Sequence, residues 1–126
     1  MIHSYKDLIV WQRAMELVTA VYELTEIFPR EEMYGLTSQI RRSAVSIPSN
    51  IAEGRVRGTA KEYLQFLRIA YGSGAELETQ IEIAKRLKNT KHLDYQVTDD
   101  LLLEVMKMLN SMISKLYVSN PKTLKS

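Results

Sequence analysis

Apolar residues recur every three to four positions through most of the chain, and no segment shows the one-in, one-out alternation of a half-buried strand. That spacing predicts four helices. The first spans about 7–28 and stops before Pro29, because the residue preceding a proline is pushed out of the helical region. It carries two apolar stripes: Leu8, Trp11, Met15, Val18 and Tyr22 form one, and Val10, Ala14, Leu17, Val21, Leu24 and Phe28 form the other. A helix on a small domain needs one apolar arc of roughly 100°. Two stripes exceed that, which reads either as deep burial or as a second face for self-association.

The second predicted helix, about 32–53, places Leu36, Ile40, Ala44, Ile47 and Ile51 on one face, with Gly54 as its C-terminal stop. Pro48 lies within it, removes a backbone donor and crowds the carbonyl of Ala44, so a kink is expected there. Ser46, Ser49 and Asn50 surround the proline with groups able to satisfy the opened backbone. The third helix opens on Thr59 and Glu62, the spacing of a capping box. It runs to about Asn89, with a coiled-coil-like seam of Tyr63, Leu67, Ala70, Gly74, Leu77, Ile81 and Ala84. Gly72, Ser73 and Gly74 weaken it in the middle, so close approach of a neighbouring helix is expected at Ala70 and Gly74. The fourth helix follows Asp94 as N-cap and carries Val97, Leu101, Val105, Met108, Met112 and Leu116, widened by Leu102, Leu109 and Ile113.

The expected architecture is all-α: an antiparallel, up-down-up-down four-helix bundle, its second helix kinked at Pro48. Its 126 residues make a single domain, with a core over about 5–117 and a flexible tail over 118–126.

Composition narrows the chemistry. The chain has no cysteine and two histidines, His3 and His92, which leaves out a disulfide framework, thiolate metal sites and most imidazole chemistry. No Glu-x-x-His pair is present for a di-iron bundle, no Gly-x-x-x-x-Gly-Lys loop for phosphates, and no strand on which to build a nucleophile elbow. The expectation is a non-enzyme without metal, cofactor or small-molecule substrate. No leader and no membrane span are read in the chain, so it is expected to be soluble and cytoplasmic.

With 17 basic and 15 acidic residues the net charge is only +2. The basic groups are nevertheless bunched: Arg41 and Arg42 in the second helix, Arg55 and Arg57 in the glycine-flanked GRVRG segment, and Lys61 and Arg68 in the third helix. Guanidinium groups suit phosphates through their planar fork of donors, so these six residues are the candidate RNA- or DNA-binding surface.

The run SQIRRSAVSIPSNIAEG, Ser38 to Gly54, together with YKDLIVWQRAMELV before it and FLRIAYGSGAELETQIEIA after it, resembles the 23S rRNA intervening-sequence protein family, also called four-helix-bundle proteins. The resemblance covers about residues 5–117. Gly72, Ser73 and Gly74 depart slightly from the Gly-Ser-Leu-like tripeptide usual in that family. It implies a homo-oligomeric ring, commonly a pentamer, without catalytic residues. A more distant architectural relative, the accessory protein of diversity-generating retroelements, works with a reverse transcriptase and nucleic acid. The implied partners are therefore copies of the chain itself, and RNA, DNA or a nucleic-acid-processing protein.

Two functional readings follow: a nucleic-acid-associated ring, or a protein-interaction scaffold using the spare apolar face of the first helix. Ser46, Pro48, Asn50, Glu53 and Gly54 read as a structural motif, in which Glu53 joins Arg42 or Arg68 in a polar cluster against Gly72–Gly74.

Overall fold

The computed structural model describes residues 4–119 and holds four α-helices and no strand among them. They are α1, Ile9–Glu26; α2, Leu36–Val56; α3, Ala60–Ala84; and α4, Gln96–Ser119. Short 3-10 turns, Tyr5–Asp7 and Arg30–Glu32, precede α1 and α2.

Local chemistry explains the ends. Ser4 and Asp7 form a reciprocal capping box ahead of α1, at a place the sequence pattern left unmarked. The Thr59 hydroxyl accepts from the Glu62 N–H at 3.1 Å, but it also lies 3.2 Å from the Glu62 carboxylate, which it reaches as a donor. Thr59 therefore caps α3 through one arm of the expected box. The Asp94 carboxylate accepts from Gln96 N–H at 3.0 Å, but the Tyr95 carbonyl accepts the first helical bond, so Tyr95 holds the N-cap position and Asp94 stands one residue before it.

Several boundaries depart from the sequence pattern. The 3-10 turn Arg30–Glu32 and a further turn over 33–35 come first, so α2 begins at Leu36 and not near residue 32. Nor does α3 reach Asn89: the buried Thr90 donates its hydroxyl to the Ala84 carbonyl at 2.6 Å and so satisfies the end of the helix. Tyr95 then donates to the Thr90 carbonyl at 2.8 Å, which fixes the polar connection beneath it. Gly54 is not a C-terminal stop but a buried position inside α2. The turn between α2 and α3 is made by Gly58, whose φ of +90° only glycine adopts without strain. Of the expected tail, Val118 and Ser119 are still helical, and the rest lies outside the described residues.

Each helix packs on two others, α1 on α2 and α4, and α3 on α2 and α4. One α1 stripe fills the interior: Ala14, Leu17 and Val21 are fully buried and Val10 and Leu24 nearly so, and Phe28, two residues past the end of the helix at Glu26, is buried with them. Ile40, Ala44, Ile47 and Ile51 of α2 meet it, with Leu67, Ala70, Leu77, Ile81 and Ala84 of α3. Burial of each large aliphatic side chain contributes about 1.5–3 kcal/mol. In α4 the buried set is Thr98, Leu102, Val105 and Leu109, while Val97 is 64% exposed. Val105 of the expected leading stripe and Leu102 and Leu109 of the expected widening set thus form its centre, while Leu101, Met108, Met112, Ile113 and Leu116 are half-buried at its margin.

The second α1 stripe is only half covered. Leu8 is buried and Trp11 and Val18 half-buried, but Met15 and Tyr22 are exposed. Tyr5 packs edge-on against Trp11, with ring centroids 5.5 Å apart. Of the small residues in α3, Gly74 is buried where a Cβ would run into Met106 of α4, while Gly72 faces open space. The expected close approach therefore falls at Gly74 alone of the two glycines.

Candidate nucleic-acid interface

The six basic residues do not form one ledge. Arg41 turns toward α1: its Nε donates to Thr25 Oγ1 at 2.8 Å, and its guanidinium lies 4.4 Å from the centre of the Tyr22 ring. Thr25 in turn donates to the Val21 carbonyl at 2.7 Å, so the arginine is held by a side chain that is itself fixed. The neighbouring Arg42 is exposed beside Ser46, Glu76 and Gln80.

Arg55, Arg57 and Lys61 lie about the α2–α3 turn, and Arg68 lies about two turns further along α3. Arg57 is occupied by Glu53 at 3.1 Å and Glu62 at 3.5 Å, and it stacks 5.1 Å from the centre of Phe66. All three charges are about half exposed, where such pairs contribute about 0–1 kcal/mol. Arg55 lies 5.8 Å from the centre of Tyr63. Burial pushes the Tyr63 phenol above its ordinary value of 10.0, with the Arg55 charge opposing. Its hydroxyl has no hydrogen-bond partner among the described residues. Arg42, Arg55, Lys61 and Arg68 make no salt bridge among the described residues, in contrast to Arg13, Arg57 and Lys85.

The Ser-Ile-Pro-Ser-Asn motif is built differently from expectation in one part. The Asn50 amide donates to both the Ser46 carbonyl, at 2.8 Å, and the Ser46 hydroxyl, at 2.9 Å. The Ser46 hydroxyl also meets that of Ser73 at 2.8 Å, joining α2 to α3. Asn50 thus pairs with Ser46, but its amide meets the Ser46 carbonyl and not that of Ala44, whose partner Pro48 removes, so the expected repair of the opened backbone is not the bond that forms. Glu53 does not join Arg42 or Arg68 against Gly72–Gly74: a salt bridge to Arg57, one turn on, claims it. The acid that reaches across to α2 is Glu76, which accepts from Ser43 at 3.0 Å.

Two features escaped the sequence reading. Tyr34 is 94% exposed beside Tyr22, Arg41 and Arg42, and only the fold brings these together across a turn. The second was visible in the chain as KRLKNTKH: from Ile83 to Leu93 it has Lys85, Arg86, Lys88 and Lys91 and no acid. Lys85 is taken by Asp99 at 2.7 Å and Glu82 at 3.4 Å, and the Asp99 hydrogen bond raises its pKa above the ordinary 10.5. Arg86, Lys88 and Lys91 remain exposed and without a salt bridge among the described residues.

Among the described residues no group of three histidine, cysteine, aspartate or glutamate side chains is placed to hold a metal ion, and no helix is long and apolar enough to cross a membrane. Four helices packed about an aliphatic core define a small all-α protein. Residues 6–111 match the family described as 23S rRNA-intervening sequence protein, and the chain belongs to that family. A comparison with curated proteins gives no match.

Proposed function

We propose that this chain is a non-catalytic, up-down-up-down four-helix protein that assembles with copies of itself and presents a repeated basic surface to RNA or DNA. Contacts of Ser43 with Glu76, Ser46 with Ser73 and Gly54 with Phe66 run in opposite senses along α2 and α3, as that topology requires. Pro48 bends α2 in this reading, and the Asn50 amide on the Ser46 carbonyl supports the bend. Assembly uses the lower part of the spare α1 stripe, Trp11, Met15 and Val18, with Val45, Pro48 and Ala52 of α2. Five-fold closure is what the family resemblance implies.

The observation that carries the nucleic-acid reading is that Arg42, Arg55, Lys61 and Arg68 stand exposed and make no salt bridge among the described residues, in a chain whose net charge is only +2. Assembly multiplies those groups over one particle, and polyanion affinity rises with the number of phosphates neutralised together. Absolute mass in solution, measured with the ratio of absorbance at nucleic-acid and protein wavelengths, tests both parts. The expected result is a multiple of 14.5 kDa carrying nucleic acid that high salt strips away. A protomer-sized mass, or no RNA or DNA binding at low ionic strength, overturns the corresponding half. The exposed Met15 and Val45 also favour a protein-interaction scaffold, which predicts a defined protein partner retained at high salt.

A further inference from the structure

Between the 30–35 turn, the end of α1 and the first half of α2 runs an open groove of about 590 Å³, within the range of small-ligand sites. Tyr22, Tyr34, Ser38, Arg41, Arg42 and Ser46 are among its lining residues, and no aspartate or glutamate is. Two guanidinium groups on consecutive residues thus face a groove whose lining holds no acid, with Glu76 lying beside Arg42 in the adjoining groove. Arg41 is already oriented by Thr25 and by the Tyr22 ring, so it offers a rigid cationic plane and not a floppy side chain. Tyr34 is 94% exposed, a large aromatic surface that no part of the fold uses. Thr37 also lines the groove, and its buried hydroxyl has no hydrogen-bond partner among the described residues.

We propose that this groove binds single-stranded nucleic acid, with bases stacked on Tyr34 and on the Arg41–Tyr22 pair and a phosphate held by Arg42. The inference rests on the nucleic-acid reading and names the strand form and the site. Aromatic and guanidinium planes accept the face of any base, but only where that face is free, as in a single strand. A phosphate alone would need the arginines and not the tyrosines. An apolar partner would gain nothing from two guanidinium charges. The combination of both, on one wall-less groove, fits an unpaired polynucleotide.

Fluorescence anisotropy with a short labelled oligo-uridine strand and a duplex RNA of equal length, at low salt, tests this on the full chain. Tyr34→Ala is expected to weaken single-strand binding roughly 5- to 100-fold, leaving duplex binding, solution mass and Tm unchanged, while Tyr34→Phe binds as the parent does. Single-strand binding untouched by Tyr34→Ala, or a fall in solution mass, overturns the groove as a binding site. If charge reversal at Arg55, Lys61 and Arg68 abolishes binding while Tyr34→Ala does not, the nucleic-acid reading stands and the groove falls. If the unaltered chain binds neither strand nor duplex, both fall together.

Discussion

A Cβ placed on Gly54 of α2 would lie 2.7 Å from the Cβ of Phe66 on α3, nearer than side-chain carbons approach one another. Phe66 Cβ is tied to its backbone, so relief requires the two helices to move apart. The three helical glycines therefore respond differently to alanine. Gly54→Ala is expected to destabilise by about 1–3 kcal/mol through overpacking. Gly72→Ala meets open space and is expected to stabilise by about 0.5–1 kcal/mol, the helix-propensity gain alone. Gly74→Ala collides only with the flexible end of Met106, which swings aside, and so falls between. Urea unfolding of the three variants checks the order.

Asn50 holds Ser46 by two hydrogen bonds, and Ser46 holds Ser73 by a third. Net contributions of about 1 kcal/mol per bond predict that Asn50→Ala costs roughly 1–2 kcal/mol. In a chain of this size that lowers Tm by about 3–8 °C. Ser46→Ala and Ser73→Ala are expected to be non-additive, since either removes the same bond. Unchanged Tm in Asn50→Ala, with nucleic-acid binding abolished, would make the motif a binding surface and not a brace.

The helices were legible because each buried face repeats at helical spacing: Ile40, Ala44, Ile47 and Ile51, or Leu67, Ala70, Leu77 and Ile81, announce themselves. What misled was punctuation. Gly54 looks like a terminator in the chain, but glycine serves close approach as well as left-handed turns, and only packing distinguishes the two. Val97 and Leu102 differ by a rotation of α4 that apolar character alone does not fix, because Thr98 takes a core position. Charges were the least legible. Sequence spacing placed Arg41 and Arg57 on a surface, and it took coordinates to find one stacked on Tyr22 and the other held by two glutamates.

Alkaline pH is expected to weaken the fold. Burial raises the Tyr63 and Tyr95 pKa values above the ordinary 10.0, and the Asp99 hydrogen bond raises that of Lys85 above 10.5. A group whose proton is held more tightly in the folded chain contributes fully below its unfolded pKa and loses that contribution as pH rises through the folded value. Stability supplied by these three groups is therefore flat from neutral pH to about 9 and falls above about 10. Denaturant midpoints at pH 7, 9 and 11 measure it. Tyr63→Phe removes part of the alkaline loss, and because the Tyr63 hydroxyl has no partner among the described residues it also stabilises at neutral pH, by up to about 1 kcal/mol. Equal alkaline sensitivity in that variant would place the titration elsewhere.

Charge reversal at two ends of one helix separates local binding from net charge. Arg55 and Lys61 lie about the start of α3 and Arg68 further along it, and Arg86, Lys88 and Lys91 lie past its end. At 1.5 Å per residue, Arg86 lies roughly 35–40 Å along the helix direction from Lys61 and roughly 25–30 Å from Arg68. Changing either triad to glutamate alters the net charge by the same amount, so non-specific attraction falls equally in both. Reversal at Arg55, Lys61 and Arg68 is expected to reduce RNA affinity further and to flatten its salt dependence. Every duplex phosphate that the chain no longer neutralises takes about 0.9 off the slope of log affinity against log salt. Arg57→Ala is expected to change little, because Glu53 and Glu62 already neutralise that guanidinium. A steeper loss from the Arg86 triad would move the interface to the opposite end of the bundle, where the Lys85 salt bridges with Glu82 and Asp99 leave its three neighbours uncompensated.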